Sequence, residues 1–236
     1  ITYFDDIIYA NGGNDTVHAG SGNDIIYGGD GNDNLYGEEG SDIIHGGAGD
    51  DYIISDLDNA KDESWTHELY GDEGNDYLQG SIGKDILVGG TGNDNLSGNA
   101  GDDTYIYNLG DGFDTIYEDG GNDTIVFGQG ITLEDLTFRK SGTDLIININ
   151  GDSSQGINIF NHALMRNDSL TEYNVESIRF ADGSTLDISN ADQLIQAMNS
   201  FSVSNSASTD TLSNPTEDVS DMYSLAASQD LTRKAI

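Results

Sequence analysis

The sequence predicts an all-β fold, in which a parallel β-roll (a solenoid) is followed by a β-rich capping region with one short helix. Three observations support this prediction. An aspartate recurs every nine residues over much of the first half of the chain, glycines precede it, and an apolar residue follows it two positions later. A short, fixed period of this kind is typical of proteins that are built by stacking identical units.

The repeating unit combines a turn with a short strand, and the aspartate takes position six of its nine residues. Glycine at positions two and four allows the positive φ angles and the close backbone approach that a tight turn requires. The aspartates are Asp6, Asp15, Asp24, Asp33, Asp42, Asp51, Asp76, Asp85, Asp94, Asp103, Asp114 and Asp123. The glycines of the predicted site are Gly20, Gly22, Gly29, Gly31, Gly40, Gly47, Gly49, Gly74, Gly83, Gly90, Gly92 and Gly101.

Position eight of the unit is apolar almost throughout, and it is the middle residue of the strand. Its side chain points to one face of the strand while its two neighbours point to the other. One aliphatic side chain per strand makes a core only if successive strands stack into a coil. The residues are Ile8, Val17, Ile26, Leu35, Ile44, Ile53, Leu69, Leu78, Leu87, Leu96, Tyr105, Ile116 and Ile125. A flexible glycine-rich linker would not need this apolar position.

The charge of the chain indicates which partners to expect. It has 43 acidic and 8 basic residues, and its formal net charge is −35. Such a chain repels itself when it is compact, so we expect cations to neutralise it, and we expect no nucleic-acid partner. Cysteine is absent, which excludes disulfides and thiolate metal sites. No apolar run reaches the length of a membrane span.

The turns fit calcium chemically, because calcium takes six to eight oxygen ligands from carboxylates and backbone carbonyls. If each coil has two half-turns, aspartates eighteen residues apart lie on the same side. Asp33 then lies between Asp15 and Asp51, and Asp24 lies between Asp6 and Asp42. Zinc is the alternative metal, but the four histidines are scattered without ligand spacing, and we expect the first two to point outward from their strands: His18, His45, His67 and His162.

The unit resembles the glycine-rich nonapeptide G-G-x-G-x-D-x-U-x of RTX proteins, over residues 1 to about 127. The resemblance implies a parallel β-roll with two half-turns per coil and calcium bound between stacked turns. It implies several calcium ions, about seven to nine, as cofactors. The site residues would be the aspartates and glycines given above. The spacing of eleven between Asp103 and Asp114 departs from the repeat.

The period fails between residues 55 and 70, which we interpret as one half-turn that carries a seven-residue insertion. The strand Glu68-Leu69-Tyr70 then places His67, and not an aspartate, at position six. Asp51 and Asp76 then stay on the same side of the roll and can share a calcium. A calcium site in the insertion would draw on Asp56, Asp58, Asp62 or Glu63. We expect Trp65 to pack locally rather than to form a platform for a ligand.

Residues 104–199 are interpreted as the cap of the open end of the roll, overlapping its last coils. The segments 144–150 and 156–160 alternate like the strands of a hairpin across 151–155. Residues 176–188 indicate two strands about the turn 181–184, and residues 190–201 indicate a short helix with Asn190 as its N-cap. The region resembles the haemolysin-type calcium-binding-related region that follows RTX repeats.

Residues 200–236 have a composition typical of a flexible tail. The tail is similar to the uncleaved C-terminal export signals of haemolysin and leukotoxin cytolysins, in the sequences "LIQAMNSF" and "DMYSLAASQDLTRKAI". The resemblance implies secretion to the extracellular medium, with the type I secretion machinery as a partner. We interpret the chain as the C-terminal part of a longer protein, whose missing N-terminal part would make any membrane contact.

The function predicted from these features is a calcium-dependent folding and secretion module of a secreted RTX toxin, most similar to a pore-forming cytolysin. The module would be unfolded in the cytosol and folded by extracellular calcium. Catalysis is not expected, because the sequence has no H-E-x-x-H, no G-x-S-x-G and no Walker lysine. The alternatives are the C-terminal RTX part of a secreted hydrolase or epimerase, or of a surface adhesin.

Overall fold

The computed structural model describes residues 2–56, 64–162, 175–189 and 193–196. The chain divides into two compact units, residues 1–191 and 192–236. In the second unit, the described residues 193–196 are helical, within the helix that the sequence predicts. Among the described residues, no helix has the length and hydropathy that crossing a bilayer requires.

The first unit is built from strands that alternate between two sheets. The strands are β1 (Thr2–Tyr3), β2 (Ile7–Gly12), β3 (Thr16–Ser21), β4 (Ile25–Asp30), β5 (Asn34–Glu39), β6 (Ile43–Ala48), β7 (Tyr52–Ile54), β8 (Glu68–Glu73), β9 (Tyr77–Gln79), β10 (Ile86–Thr91), β11 (Asn95–Ala100), β12 (Thr104–Tyr107), β13 (Phe113–Gly120), β14 (Asp123–Phe127), β15 (Leu136–Ser141), β16 (Asp144–Ile149), β17 (Asp152–Ile159), β18 (Val175–Arg179) and β19 (Thr185–Asp187). A 3₁₀ turn, Leu133–Asp135, precedes β15.

Odd-numbered strands up to β13 form one parallel sheet and even-numbered strands up to β14 form the other. Each strand therefore pairs with the strand one coil away, as in the register of Ile26 with Ile44 and of Leu35 with Ile53. This confirms the predicted all-β fold and the two half-turns per coil. The insertion preserves the alternation, since β7 pairs with β9 and β6 pairs with β8.

The apolar residues at position eight form the core between the two sheets. From Ile26 to Ile125 each of them is buried, with at most 2% of its surface exposed. Ile8 and Val17, in the first coil, are only partly buried. Burying an aliphatic side chain contributes about 1.5–3 kcal/mol to folding. The stacked side chains therefore hold together strands that could not make a core singly.

Antiparallel strands continue both sheets beyond the last coil. Strand β17 pairs in parallel with β13 and antiparallel with β16, which in turn pairs with β15. Strand β18 pairs in parallel with β14 and antiparallel with β19. The hairpin β16–β17 is longer than the sequence indicates, because β17 begins at Asp152. Its turn is Asn150-Gly151, whose φ angles of 54° and 70° are those of a tight type I′ turn.

Candidate metal centre

Position-six aspartates form two columns, one on each side of the roll. The first, called here the Asp24 column, contains Asp6, Asp24, Asp42, His67, Asp85, Asp103 and Asp123. The second, called the Asp33 column, contains Asp15, Asp33, Asp51, Asp76, Asp94 and Asp114. The structure thus brings all twelve predicted aspartates into the columns.

Backbone hydrogen bonds hold the carboxylates of each column in register. The N–H of Asp15 donates to Oδ1 of Asp33 at 2.8 Å, and the N–H of Asp33 donates to Oδ1 of Asp51 at 2.7 Å. The pattern continues across the insertion, where Asp51 N–H donates to Oδ1 of Asp76 at 2.8 Å. It also includes Asp114, which accepts from Asp94 N–H at 3.0 Å despite the irregular spacing.

The second oxygen of most of these carboxylates is buried and has no hydrogen-bond partner. The atoms are Oδ2 of Asp15, Asp24, Asp33, Asp42, Asp51, Asp76, Asp94, Asp103 and Asp123. An unpaired buried carboxylate oxygen is costly, because it has lost its hydration without replacement. A cation between the turns would pair with these oxygens in their charged form.

Backbone carbonyls converge on the same places as the unpartnered oxygens. A Cβ on Gly28 would lie 2.4 Å from Oδ2 of Asp33 and 2.4 Å from the carbonyl oxygen of Gly46, one coil away. A Cβ on Gly71 would lie 2.3 Å from Oδ2 of Asp76 and 2.3 Å from the Gly89 carbonyl. The small residue at position one thus keeps open a space that is bordered by oxygen atoms, which is the donor set that calcium prefers.

Glycines at positions two and four bring consecutive coils into close backbone contact. Gly31 has a φ of 126°, and a Cβ there would lie 2.1 Å from the carbonyl oxygen of Gly13. Position two keeps a positive φ even without glycine, as at Glu38 with 75° and Asp72 with 73°. Gly83 is the exception among the predicted site glycines, because its φ angle is not positive. It packs against the carbonyl oxygen of Trp65.

Burial raises the pKa of several carboxyls in the columns, because the surroundings disfavour the charged form. The pKa is raised to about 6 for Asp51, to about 7 for Asp76 and to about 8 for Asp114, with neighbouring carboxylates adding to the effect of burial. The backbone N–H that each group accepts opposes the shift. A bound cation would reverse the balance, since an adjacent positive charge favours the carboxylate.

The Asp24 column is interrupted near the insertion. His67 is fully buried. Its ring Nδ1 accepts the backbone N–H of Asp42 at 3.2 Å, and its backbone N–H donates to Oδ1 of Asp85 at 2.8 Å. Oδ2 of Asp85 accepts the Ser81 N–H at 2.6 Å and so is already partnered. Position six of these two turns therefore lacks the free carboxylate oxygen that the regular turns offer.

Of the four candidate ligands predicted in the insertion, the structure describes one. Asp56 is buried, whereas Asp58, Asp62 and Glu63 lie outside the described residues. The Trp65 side chain is half-buried. In the described part of the chain, the only group of three metal-ligating side chains is Asp103, Glu118 and Asp123, with no histidine in it. His18 and His45 stack on outward-facing tyrosines, as expected for outward strand residues.

Two acidic residues of the columns were not predicted from the sequence. Glu118 precedes Asp123 by five residues and takes position one, which is glycine or alanine in most units. Glu176, in β18, accepts the N–H of Asp123 on Oε2 at 2.7 Å and so extends the Asp24 column into the capping strands. Glu118 could have been recognised in the sequence, because a glutamate replaces the usual glycine at position one of the repeat. Glu176 lies outside the repeats, so the period gives no indication of its role.

Comparisons with known families agree with this geometry. The model of the RTX calcium-binding nonapeptide repeat matches four times, at residues 2–35, 27–59, 70–105 and 106–132, which together exceed half of the chain. The chain belongs to the RTX calcium-binding repeat family. The haemolysin-type calcium binding protein related domain matches residues 144–190, which include the RTX cap strands β16 to β19.

Two similar proteins carry RTX-like sequence or structure. The iron-regulated protein FrpA of Neisseria meningitidis serogroup C is 36% identical over 97 residues, which are 39% of this chain and 8% of FrpA. The extracellular lipase LipA of Serratia marcescens shares 21% identity with a TM-score of 0.32, over 60% of this chain and 36% of the lipase. The chain thus spans a small part of each relative.

Proposed function

We propose that this chain is a calcium-dependent folding module of a protein exported by the type I route, unfolded in the cytosol and folded by calcium outside the cell. The observation that carries the proposal is the series of nine buried Oδ2 atoms without hydrogen-bond partners. They lie in turns that also present backbone carbonyls. Without cations the folded roll would bury these carboxylates unpaired, so folding and calcium binding should be coupled.

The magnitude of the coupling is sufficient to switch the fold. Extracellular calcium modules bind with dissociation constants of roughly 10⁻⁴ to 10⁻³ M. At ten times the dissociation constant, each site adds about 1.4 kcal/mol to the free energy of unfolding. About seven to nine sites therefore add on the order of 10 kcal/mol, which is comparable to the stability of a whole domain. The five pairs of consecutive aspartates in the Asp33 column would supply most of these calcium sites.

The same charges keep the chain open before it meets calcium. With a net charge of −35 and 31 glycines, the metal-free chain repels itself and has much backbone entropy to lose. An extended chain suits passage through a secretion channel. In this proposal the parent protein is a secreted toxin of the cytolysin type, which is supported by the resemblance of residues 200–236 to cytolysin export signals. This module itself has no catalytic role.

The experiment that tests the proposal is far-ultraviolet circular dichroism of the chain in chelator, in millimolar calcium and in millimolar magnesium. We expect a largely unfolded spectrum in chelator and a β-rich spectrum in calcium. Magnesium should substitute poorly, because it demands a tight octahedral set of ligands and retains its waters. A β-rich spectrum in excess chelator would contradict the proposed switch.

A further inference from the structure

We propose that Glu118 joins Asp103 and Asp123 of the Asp24 column in a three-carboxylate cation site that binds calcium more tightly than the regular repeat turns. The proposal rests on the proposed function, because it assigns a further ligand within the same cation-binding roll. One ligand atom from each of the three carboxylates lies within 4.8 Å of the others. The three side chains are at most 5% exposed, so the group is enclosed by protein.

Glu118 reaches this place because the strand pairing is irregular there. Strands β11 and β13 are in regular register up to Ser97 and Tyr117, and then shift so that Asn99 faces Glu118. In a regular turn a side chain at position one would collide with the aspartate of its own turn, as a Cβ on Gly98 would with Asp103 Oδ2 at 2.2 Å. The bulge removes this constraint and lets a glutamate occupy position one.

Each of the two aspartates has one oxygen with a hydrogen bond and one without. Oδ1 of Asp103 accepts the Asp85 N–H at 2.8 Å, and Oδ1 of Asp123 accepts the Asp103 N–H at 2.8 Å. Their Oδ2 atoms are buried and without a hydrogen bond. A Cβ on Gly98 would lie 2.2 Å from Asp103 Oδ2 and 2.7 Å from the Tyr105 hydroxyl, so both atoms border the space that this glycine leaves open. The two buried oxygens without hydrogen bonds are a second indication of a cation site, beside the proximity of the three carboxylates.

Tyr105 holds Glu118 in place from the core side. Position eight is aliphatic in the other units, whereas this buried tyrosine extends its hydroxyl to the turn and donates a hydrogen bond to Glu118 Oε1. The hydroxyl accepts the Gly98 N–H at 2.8 Å, and Glu118 Oε2 accepts the Asp119 N–H at 3.2 Å. Glu118 is therefore oriented before an ion arrives, which reduces the ordering that binding must provide.

Charge and rigidity together explain why this site should be the tightest. Two consecutive aspartates of a column offer one carboxylate from each of two coils, whereas this site adds the carboxylate of Glu118 as a third. The affinity of calcium sites rises with the number of charged ligands and with the rigidity of the site. All three groups are carboxylates and none is a nitrogen ligand, which favours calcium over zinc. The site lies where β13 and β14 meet the capping strands, so the first ion would bind beside the cap.

The test uses the full chain, titrated with calcium in competition with a chromophoric chelator so that the tightest class of sites is resolved. Glu118→Gln removes one charge from the site, and Asp119→Asn removes one from the adjacent, exposed residue as the matched control. We expect Glu118→Gln to weaken the tightest class at least ~10-fold, since one lost charge–ion contact of about 1.4 kcal/mol is tenfold. Asp119→Asn should leave it unchanged.

A second variant guards against a failure to fold. Glu118→Gly restores the residue that regular turns have at position one, so this variant should still give a β-rich spectrum at saturating calcium while losing the tightest class. Terbium offers an independent readout, because Tyr105 can transfer excitation energy to an ion at this site. The first equivalent of terbium should luminesce strongly in the native chain and in Asp119→Asn, and weakly in Glu118→Gly.

The outcomes separate this inference from the proposed function. If all variants keep the tightest class with unchanged affinity, or if terbium luminescence survives in Glu118→Gly, then the three-carboxylate site is wrong while calcium-dependent folding stands. If the native chain binds no calcium at all, the proposed function itself is wrong.

Discussion

At the scale of single residues, an aspartate of the roll has two tasks that use different oxygens. Oδ1 accepts a backbone N–H from the preceding coil and so fixes the register, as in the bond from Asp15 to Asp33. Oδ2 is left for a cation. An aspartate between two coils should therefore matter more than one at the end of a column.

We expect Asp33→Asn to raise the calcium concentration at the folding midpoint clearly more than Asp6→Asn. Asp33 is 1% exposed and is bonded through its backbone to the coil that follows as well as through Oδ1 to the coil before. Asp6 is only half-buried and begins its column. Losing one ligand from two sites should cost about twice as much binding free energy as losing it from one. Calcium titrations followed by circular dichroism provide the measurement, and equal midpoints would contradict the stacked-turn geometry.

Individual residues also show how far the sequence could be interpreted. The period of nine predicted both columns and the buried ladder from Ile26 to Ile125, because each depends only on which position of a repeating unit a residue takes. The roles of Glu118 and Glu176 depend on a bulge in β13 and on a strand pairing more than fifty residues away along the chain. Such contacts arise from tertiary structure, which has no local pattern in the sequence.

At the scale of elements, the turns of the Asp24 column are not equivalent. The turns that end at His67 and at Asp85 adjoin the insertion, and position six of neither turn offers a free carboxylate oxygen. The column therefore has regular turns on both sides of a central interruption. The Asp33 column has an aspartate at every step, including the one from Asp51 to Asp76.

Restoring an aspartate at the interruption should add a calcium site. In His67→Asp the new carboxylate would accept the Asp42 N–H, as Nδ1 of His67 does now. It would lie near Asp42 Oδ2, which has no hydrogen bond and is 3.5 Å from His67 Nδ1. The Ser55 carbonyl oxygen, near the same Oδ2, completes the arrangement of a regular turn. We expect one more bound calcium per chain, counted by native mass spectrometry.

His45→Asp is the matched control for that count. It makes the same exchange on the outer face of β6, where His45 stacks between Tyr27 and Tyr70 and contacts Asp72 Oδ2 at 3.2 Å, outside both aspartate columns. The number of bound ions should not change in this variant. An unchanged count in His67→Asp as well would mean that His67 is not what interrupts the column.

At the scale of the whole molecule, the capping strands offer a surface on which the last coil can form. Each coil contacts only its neighbours, so forming the first coil costs free energy that is recovered only when further coils pack against it. Strands β17 and β18 pair in parallel with β13 and β14 and so take the place of a further coil. The cap contributes its own buried side chains, among them Ile147, Ile157 and Ile178.

We therefore predict that deleting residues 128–199 leaves the repeats largely unfolded even at several times the calcium midpoint of the full chain. Deleting residues 1–54 should instead leave a shorter roll that still folds on adding calcium, and it serves as the control for the loss of length. Circular dichroism against calcium concentration distinguishes the two. Capless repeats that fold at an unchanged midpoint would show that the cap does not nucleate the roll.

The spacing of the coils has a mechanical consequence. One coil of eighteen residues spans about 60 Å when extended, at roughly 3.3 Å per residue. The same coil lengthens the roll by only about 4.8 Å, the distance between neighbouring strands. Each coil that folds thus takes up more than ten times as much extended chain as it adds to the length of the roll. A chain anchored at its folded end would be drawn towards that end one coil at a time, and the free energy of ion binding would supply the work.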